Sequence, residues 1–180
     1  GILKYEKSVF KKYGTQNGLP DNIINNLLPD RDGNIWMGSF TSGLLFFSGE
    51  QFASLSDANV LPEKHVRAIV QDETTGNIWL GTFGGLTIYD GIEFKTLTKT
   101  DGLSANQISA LAISENGVVW AATLEGELNK IESLPSGYKI TVYNNTDIPG
   151  SGEFISLQYS REGSLLIGTV NSGLLQFQNG

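Results

Sequence analysis

The chain has 180 residues, with 19 acidic side chains against 12 basic ones, a net charge of −7 and no cysteine. An acidic balance repels a phosphate backbone, whose binding needs clustered Lys and Arg, so nucleic acid is not an expected partner; the missing cysteines exclude disulfides, thiol catalysis and thiolate metal sites. Hydrophobic residues at 39% and charged residues at 17% suit a folded domain, and no run approaches the roughly 18 apolar residues of a membrane span, so no direct membrane contact is expected of this segment.

In chain order, short runs rich in Ile, Val, Leu, Phe, Tyr and Thr alternate with Gly, Asn, Asp and Ser, which is the signature of strands and hairpins. The opening "GILKY" and "VFKKY" read as the third and fourth strands of a unit. Strands are then expected at 23–28, 35–39, 44–47 and 51–55, and again at 66–71, 78–82, 86–89 and 93–97. A third set falls at 107–114, 118–123, 127–131 and 139–143, and a fourth, lacking its last strand, at 154–159, 165–169 and 174–177. The segments "DRDGNIWMGSF", "ETTGNIWLGTF", "SENGVVWAATL" and "SREGSLLIGTV" superimpose these sets. Each has a glycine three residues before an anchor: Gly33 to Trp36, Gly76 to Trp79, Gly117 to Trp120 and Gly163 to Leu166.

The anchors are 43, 41 and 46 residues apart, a period that belongs to propeller blades or helical repeats. The strand-type composition selects the propeller. The expected fold is all-β: a partial β-propeller of about four blades, each a four-stranded antiparallel meander. Residues 1–13 end a preceding blade; 14–56, 57–98 and 99–144 are blades, and 145–180 is a blade without its outer strand. The initial residue is not Met and no signal-peptide layout is present, so a segment of a longer polypeptide is expected. Completion of the fourth unit by "VFKKY" is the alternative.

The unit "GLPDNIINNLLPDRDGNIWMGSFTSGLLFF", echoed by "GLSANQISALAISENGVVWAATLEGELNKI", resembles the two-component regulator propeller repeat. The resemblance covers essentially the whole chain. It implies that the parent ring has seven blades, and a place in the periplasmic or extracellular sensor region of a hybrid two-component histidine kinase, with the rest of the propeller and sensor chain as partners, a homodimer in the parent protein and an oligosaccharide as possible ligand. The third repeat departs by Ala122 where the others have Gly38, Gly81 and Gly168, and by Glu127 where Leu44, Leu86 and Leu174 are expected counterparts; the fourth has Leu166 for Trp. The sialidase-type Asp box also places Trp three residues after Gly. It needs Asp two residues before the glycine, where this chain has Arg31, Thr74, Glu115 and Arg161, and is rejected on that register.

The repeated glycines and tryptophans read as scaffold. Trp36, Trp79 and Trp120 recur at one strand position, as inter-blade core requires, because each sheet buries both faces; Asp30 and Asp72 are expected to bond turn amides. Recognition is then expected at positions that do not repeat, on loops carried by the rigid scaffold. The connections entering the innermost strands supply Asp21, Asn22, Asn25, Glu63, Lys64, His65, Arg67, Asn106, Gln107 and Glu153 as ligand-binding candidates. Those joining second and third strands supply Phe40, Phe83, Glu125 and Asn171. For any single one of them, an ordinary solvated loop residue is the default reading.

No catalytic residue is expected. His65 is the only histidine, no G-x-S-x-G elbow or P-loop occurs, and neither cofactor nor metal is expected. Asn144 begins a match to the glycosylation pattern. Two readings stand beside the sensor module: a polysaccharide lyase or hydrolase with carboxylates converging from different blades, and a purely structural propeller whose ligand binds elsewhere.

Overall fold

The computed structural model describes residues 1–49, 51–55, 61–144, 146–148 and 152–178. A hairpin of β1 (Ile2–Glu6) and β2 (Val9–Tyr13) comes first, followed by three four-stranded sheets and a three-stranded one. The sheets are β3 (Ile24–Pro29), β4 (Ile35–Ser39), β5 (Leu44–Phe47), β6 (Phe52–Ser54); β7 (Val66–Gln71), β8 (Ile78–Thr82), β9 (Gly85–Tyr89), β10 (Phe94–Leu97); β11 (Ile108–Ile113), β12 (Val119–Thr123), β13 (Leu128–Leu134), β14 (Gly137–Tyr143); and β15 (Phe154–Tyr159), β16 (Ser164–Thr169), β17 (Leu174–Gln178). Every pairing joins sequence neighbours in antiparallel order. The first strands β3, β7, β11 and β15 lie side by side from sheet to sheet, which makes them the inner strands of successive blades. The fold is a partial β-propeller whose sheets do not close.

Closure by "VFKKY" is ruled out among the described residues: β2 pairs with β1, and β17 pairs with β16. The expected blade boundary after residue 56 and the Ser151 end of the connection entering β15 lie outside the described residues. Two short 3-10 helices, Thr15–Asn17 and Lys99–Asp101, precede the inner strands of the first and third complete blades. Each closes on a left-handed glycine, Gly18 at φ 86° and Gly102 at φ 109°, a conformation glycine adopts without steric penalty. Three residues give no hydrophobic period, so their sequence carries no helix signal.

The register corrects one expectation. Leu44, Leu86 and Leu174 sit opposite Gly38, Gly81 and Gly168, and the residue opposite Ala122 is Leu128, not Glu127. Thr123 N–H donates to the Glu127 carbonyl just as Ser39 N–H donates to that of Gly43, so Glu127 takes the place of the turn glycine and the leucine row is unbroken. The same hairpin is longer than the 127–131 and 139–143 strands expected, because pairing continues to Leu134 opposite Gly137 across a two-residue turn.

Packing follows from the repeat. Trp79 and Trp120 are buried at 1% and 3% exposure. Trp79, Leu86 and Ile88 pack with Leu111, Val119 and Ile131 of the next sheet, and Trp120 and Leu128 pack with Phe154 and Leu165 of the one after. Leu44 meets Val66 and Leu80, while Ile2 and Tyr13 of the first hairpin cover Met37, Leu45 and Phe47. Each core is therefore built between blades, and each blade depends on its neighbour.

Glycine at the middle of the second strand permits this approach. A methyl at Gly38 would lie 2.7 Å from Val66 Cγ1, and one at Gly81 would lie 2.7 Å from Ile108 Cγ2, inside the separation that packed carbon atoms tolerate. Ala122 sits at the equivalent place with Phe154 of the next blade beside it, so the departure from glycine accompanies a change of the facing residue from β-branched to aromatic. At the turns, Gly33, Gly76, Gly117 and Gly163 all have φ between 75° and 83°. Asp30 Oδ1 accepts from the Asp32 and Asn34 amides, and its Oδ2 accepts from Asn34 Nδ2 and Trp36 Nε1. Asp72 accepts from the Thr74 amide and the Thr75 hydroxyl.

Candidate ligand-binding cavity over the inner strands

Every inner strand carries a bulge at one place. The pairing skips from Ile24 to Asn26, Val66 to Ala68, Ile108 to Ala110 and Phe154 to Ser156, so Asn25, Arg67, Ser109 and Ile155 are the extra residues. A bulge bends its strand and re-aims the side chain it carries. All four residues line one cavity of about 580 Å³, joined by Asn26, Phe40, His65 and Ser156. The repeat thus delivers one non-repeating side chain per blade to a common space.

Two kinds of group hold its wall. Asn25 Nδ2 donates to the Val66 carbonyl at 2.9 Å and Asn26 Nδ2 to the Arg67 carbonyl at 2.6 Å, so both amides staple the first complete blade to the second and fix the strand bearing Arg67. Above them, the His65 imidazole lies between two rings, 4.3 Å from Phe40 and 4.8 Å from Phe83. The Arg67 guanidinium sits over Phe83 at 5.5 Å, within cation–π range. Burial, then the positive charge of Arg67, hold the His65 pKa below its ordinary value, against the opposing pull of Glu63. His65 is therefore a neutral aromatic plate at pH 7. Phe40 remains 44% exposed. The Ser109 hydroxyl is buried and has no hydrogen-bond partner among the described residues.

The other candidates fall elsewhere. Asp21 is buried, with Oδ1 accepting from the Ile23 amide and Oδ2 from the Thr41 amide and hydroxyl at 2.7 and 2.8 Å. Burial opposes its charge, but these bonds outweigh that and hold its pKa below the ordinary value. Asn22 Oδ1 accepts from the Thr15 amide and Asn106 Oδ1 from the Lys99 amide; each ties a 3-10 helix to the strand that follows. Glu63 Oε1 accepts from the His65 amide at 3.1 Å, and Lys64 is half-buried beside it. Gln107, Glu125, Glu153 and Asn171 are exposed, and their side chains are not among those lining the cavity. Asn144 accepts from the Thr146 amide and hydroxyl; the next residue of its motif lies outside the described residues.

Sequence reasoning thus names Asn25, Phe40, His65, Arg67 and Phe83 of the cluster but not Asn26, Ser109, Ile155 or Ser156. The available signal was positional: each follows the first aliphatic or aromatic residue of an inner strand by one or two places. No group of three or more His, Cys, Asp or Glu suited to a metal ion occurs among the described residues, and no described helix is long and apolar enough to cross a membrane.

Comparison with known proteins agrees with the repeat. Residues 18–41 match the family model of the two component regulator propeller. No curated protein sequence matches the chain. Among solved structures, the extracellular domain of one hybrid two component system from B. thetaiotaomicron superimposes with a TM-score of 0.77 at 22% identity, over 93% of this chain and 25% of that one. The extracellular domain of a second such system from the same organism gives 0.79 at 22% identity, over 100% and 25%. Virginiamycin B lyase from Staphylococcus aureus gives 0.63 at 13% identity, over 88% and 56%. The chain spans about a quarter of the length of the two extracellular domains it resembles. It is a partial β-propeller that carries a two component regulator propeller repeat at residues 18–41.

Proposed function

We propose that the chain is a propeller portion of the periplasmic sensor region of a hybrid two-component histidine kinase, that it contributes to recognition of an oligosaccharide, and that it is not itself an enzyme. The observation that carries this reading is the cavity over the inner strands, where an exposed Phe40 ring stands beside His65, Arg67 and the polar side chains Asn25, Asn26 and Ser109. Sugar rings offer apolar C–H faces and a rim of hydroxyls, and bind where aromatic faces adjoin a few fixed polar groups. The repeat match at residues 18–41 and the likeness to extracellular domains of hybrid two component systems support placing that recognition outside the membrane, upstream of a kinase. In this reading the remaining blades of the parent propeller complete the ring, and a homodimer carries the signal.

Titration calorimetry of the complete extracellular region against a panel of oligosaccharides tests it. A binding isotherm is expected, weakened about tenfold or more by Phe40→Ala or His65→Ala, which corresponds to the roughly 1.4 kcal/mol that separates a contributing contact from a neutral one. Unchanged affinity in both variants moves the ligand off this cavity. Release of new reducing or unsaturated ends from a polysaccharide would instead indicate an enzyme.

A further inference from the structure

Arg67 occupies an unusual place in an acidic chain. The protein carries 19 acidic residues, and the ion pairs of the described residues involve Lys4, Arg31, Lys130 and Lys139, not Arg67. Arg67 is the one charged side chain lining the cavity. Its guanidinium is held from one side by the Phe83 ring, and it is presented by a bulge whose backbone is pinned through Asn26 Nδ2. A guanidinium stacked on an aromatic ring keeps its N–H edge free for two parallel hydrogen bonds, the geometry that matches a carboxylate or a sulfate. A half-buried cation in no ion pair among the described residues is the arrangement that an incoming anion relieves.

Phe40 supplies the second half of the recognition. It lines the same cavity, is 44% exposed and is braced by His65 at 4.3 Å, so a ring that stacks on it lies within the space Arg67 faces. Asn25 and Asn26 line the same cavity with their side-chain amides. An apolar face, a fixed cation and hydrogen-bonding groups in one cavity describe an acidic sugar better than a neutral one.

Building on the sensor reading above, we infer that the ligand of this cavity is an anionic sugar residue, a uronate or a sulfate ester, whose charged group meets Arg67 while its ring stacks on Phe40. A neutral sugar would leave Arg67 without its partner, and the acidic surface would offer an anion no other welcome. The charged groups that face His65 are Arg67, which lowers its proton affinity, and Glu63, which raises it.

The test is calorimetry of the complete extracellular region with oligouronates and sulfated oligosaccharides, each beside its carboxyl-reduced or desulfated counterpart. The acidic member of a pair is expected to bind about 10- to 100-fold more tightly than its neutral counterpart, the span of a charge-assisted hydrogen-bonded pair. Arg67→Ala should remove that preference and Arg67→Lys should retain part of it, because a point charge replaces the bidentate fork. Whichever pair shows the preference identifies carboxylate or sulfate. Equal binding of acidic and neutral members, unaffected by Arg67→Ala but weakened by Phe40→Ala, overturns the anionic assignment and leaves the oligosaccharide reading intact. Binding unaffected by Arg67→Ala and Phe40→Ala alike, or no binding of any member, overturns both.

Discussion

Replacing Gly81 by alanine tests whether the spacing between blades is set by the missing side chain. The added methyl would lie 2.7 Å from Ile108 Cγ2, 3.3 Å from Ile108 Cβ and 3.4 Å from Ala68 Cβ. Ile108 is fully buried in the core shared by the second and third complete blades, so it has no free space into which to rotate. Overpacking of this kind costs about 1–3 kcal/mol, and the backbone entropy that alanine removes from the unfolded chain offsets about 0.5–1 kcal/mol of it. Gly81→Ala should therefore destabilise by up to about 2.5 kcal/mol in urea unfolding followed by tryptophan fluorescence. Ile108→Ala alone should cost about 2–5 kcal/mol by leaving a cavity. Because it removes the clashing Cγ2, the double variant should be more stable than the two losses predict, with a coupling of about 0.5–3 kcal/mol for contacting residues. A stabilising Gly81→Ala, or strict additivity with Ile108→Ala, refutes the close-approach account.

Asp21→Ala removes acceptors for the Ile23 amide and for the Thr41 amide and hydroxyl and should cost about 1–3 kcal/mol at pH 7. Its folded pKa is depressed, so the wild-type advantage is present above the ordinary Asp value of about 3.9 and disappears as pH falls through the folded value; denaturation of both proteins from pH 7 to pH 2 checks the convergence. The His65 pKa is also lowered, and between the folded value and about 6.5 the unfolded chain binds more protons, so stability declines as pH drops through that window. His65→Phe should flatten that slope while keeping the ring stack, as denaturant midpoints between pH 8 and pH 5 would show. In the β1–β2 turn, Lys7 and Ser8 have φ of 48° and 65°, a conformation that Asn-Gly adopts more readily. Lys7→Asn with Ser8→Gly should stabilise the hairpin by about 1 kcal/mol, read as slower amide exchange in β1 and β2.

The acidic-sugar assignment and the Gly81 prediction draw on different parts of the molecule. Gly81 concerns how blades meet, and Arg67 concerns what the meeting presents. The two meet at Val66, which packs against Gly38, the counterpart of Gly81 one blade earlier, and precedes the bulge at Arg67 on the same inner strand, so a strand that closes a core also aims the cation.

Strand positions were legible in the sequence because they are local. Val66–Gln71, Ile78–Thr82 and Phe154–Tyr159 fall where residue type and turn glycines put them, since side-chain alternation and φ > 0 at Gly33 or Gly76 need only near neighbours. The period of Trp36, Trp79 and Trp120 likewise set the length of the repeat, and the strand-type composition within it selected the blade. Tertiary structure alone decided what the non-repeating residues do. Asp21 and Asn106 look as available as His65 in the sequence, yet the first two are consumed by backbone amides, of Ile23 and Thr41 and of Lys99, while His65 meets Phe40 and Phe83, 25 and 18 residues away. The leucine row also hid behind a turn until pairing put Leu128 opposite Ala122. Residues about forty positions apart, such as Asn25 and Val66, become neighbours only when blades stack, and that geometry depends on the close approach at Gly38 and Gly81 and on four bulges that no single repeat announces.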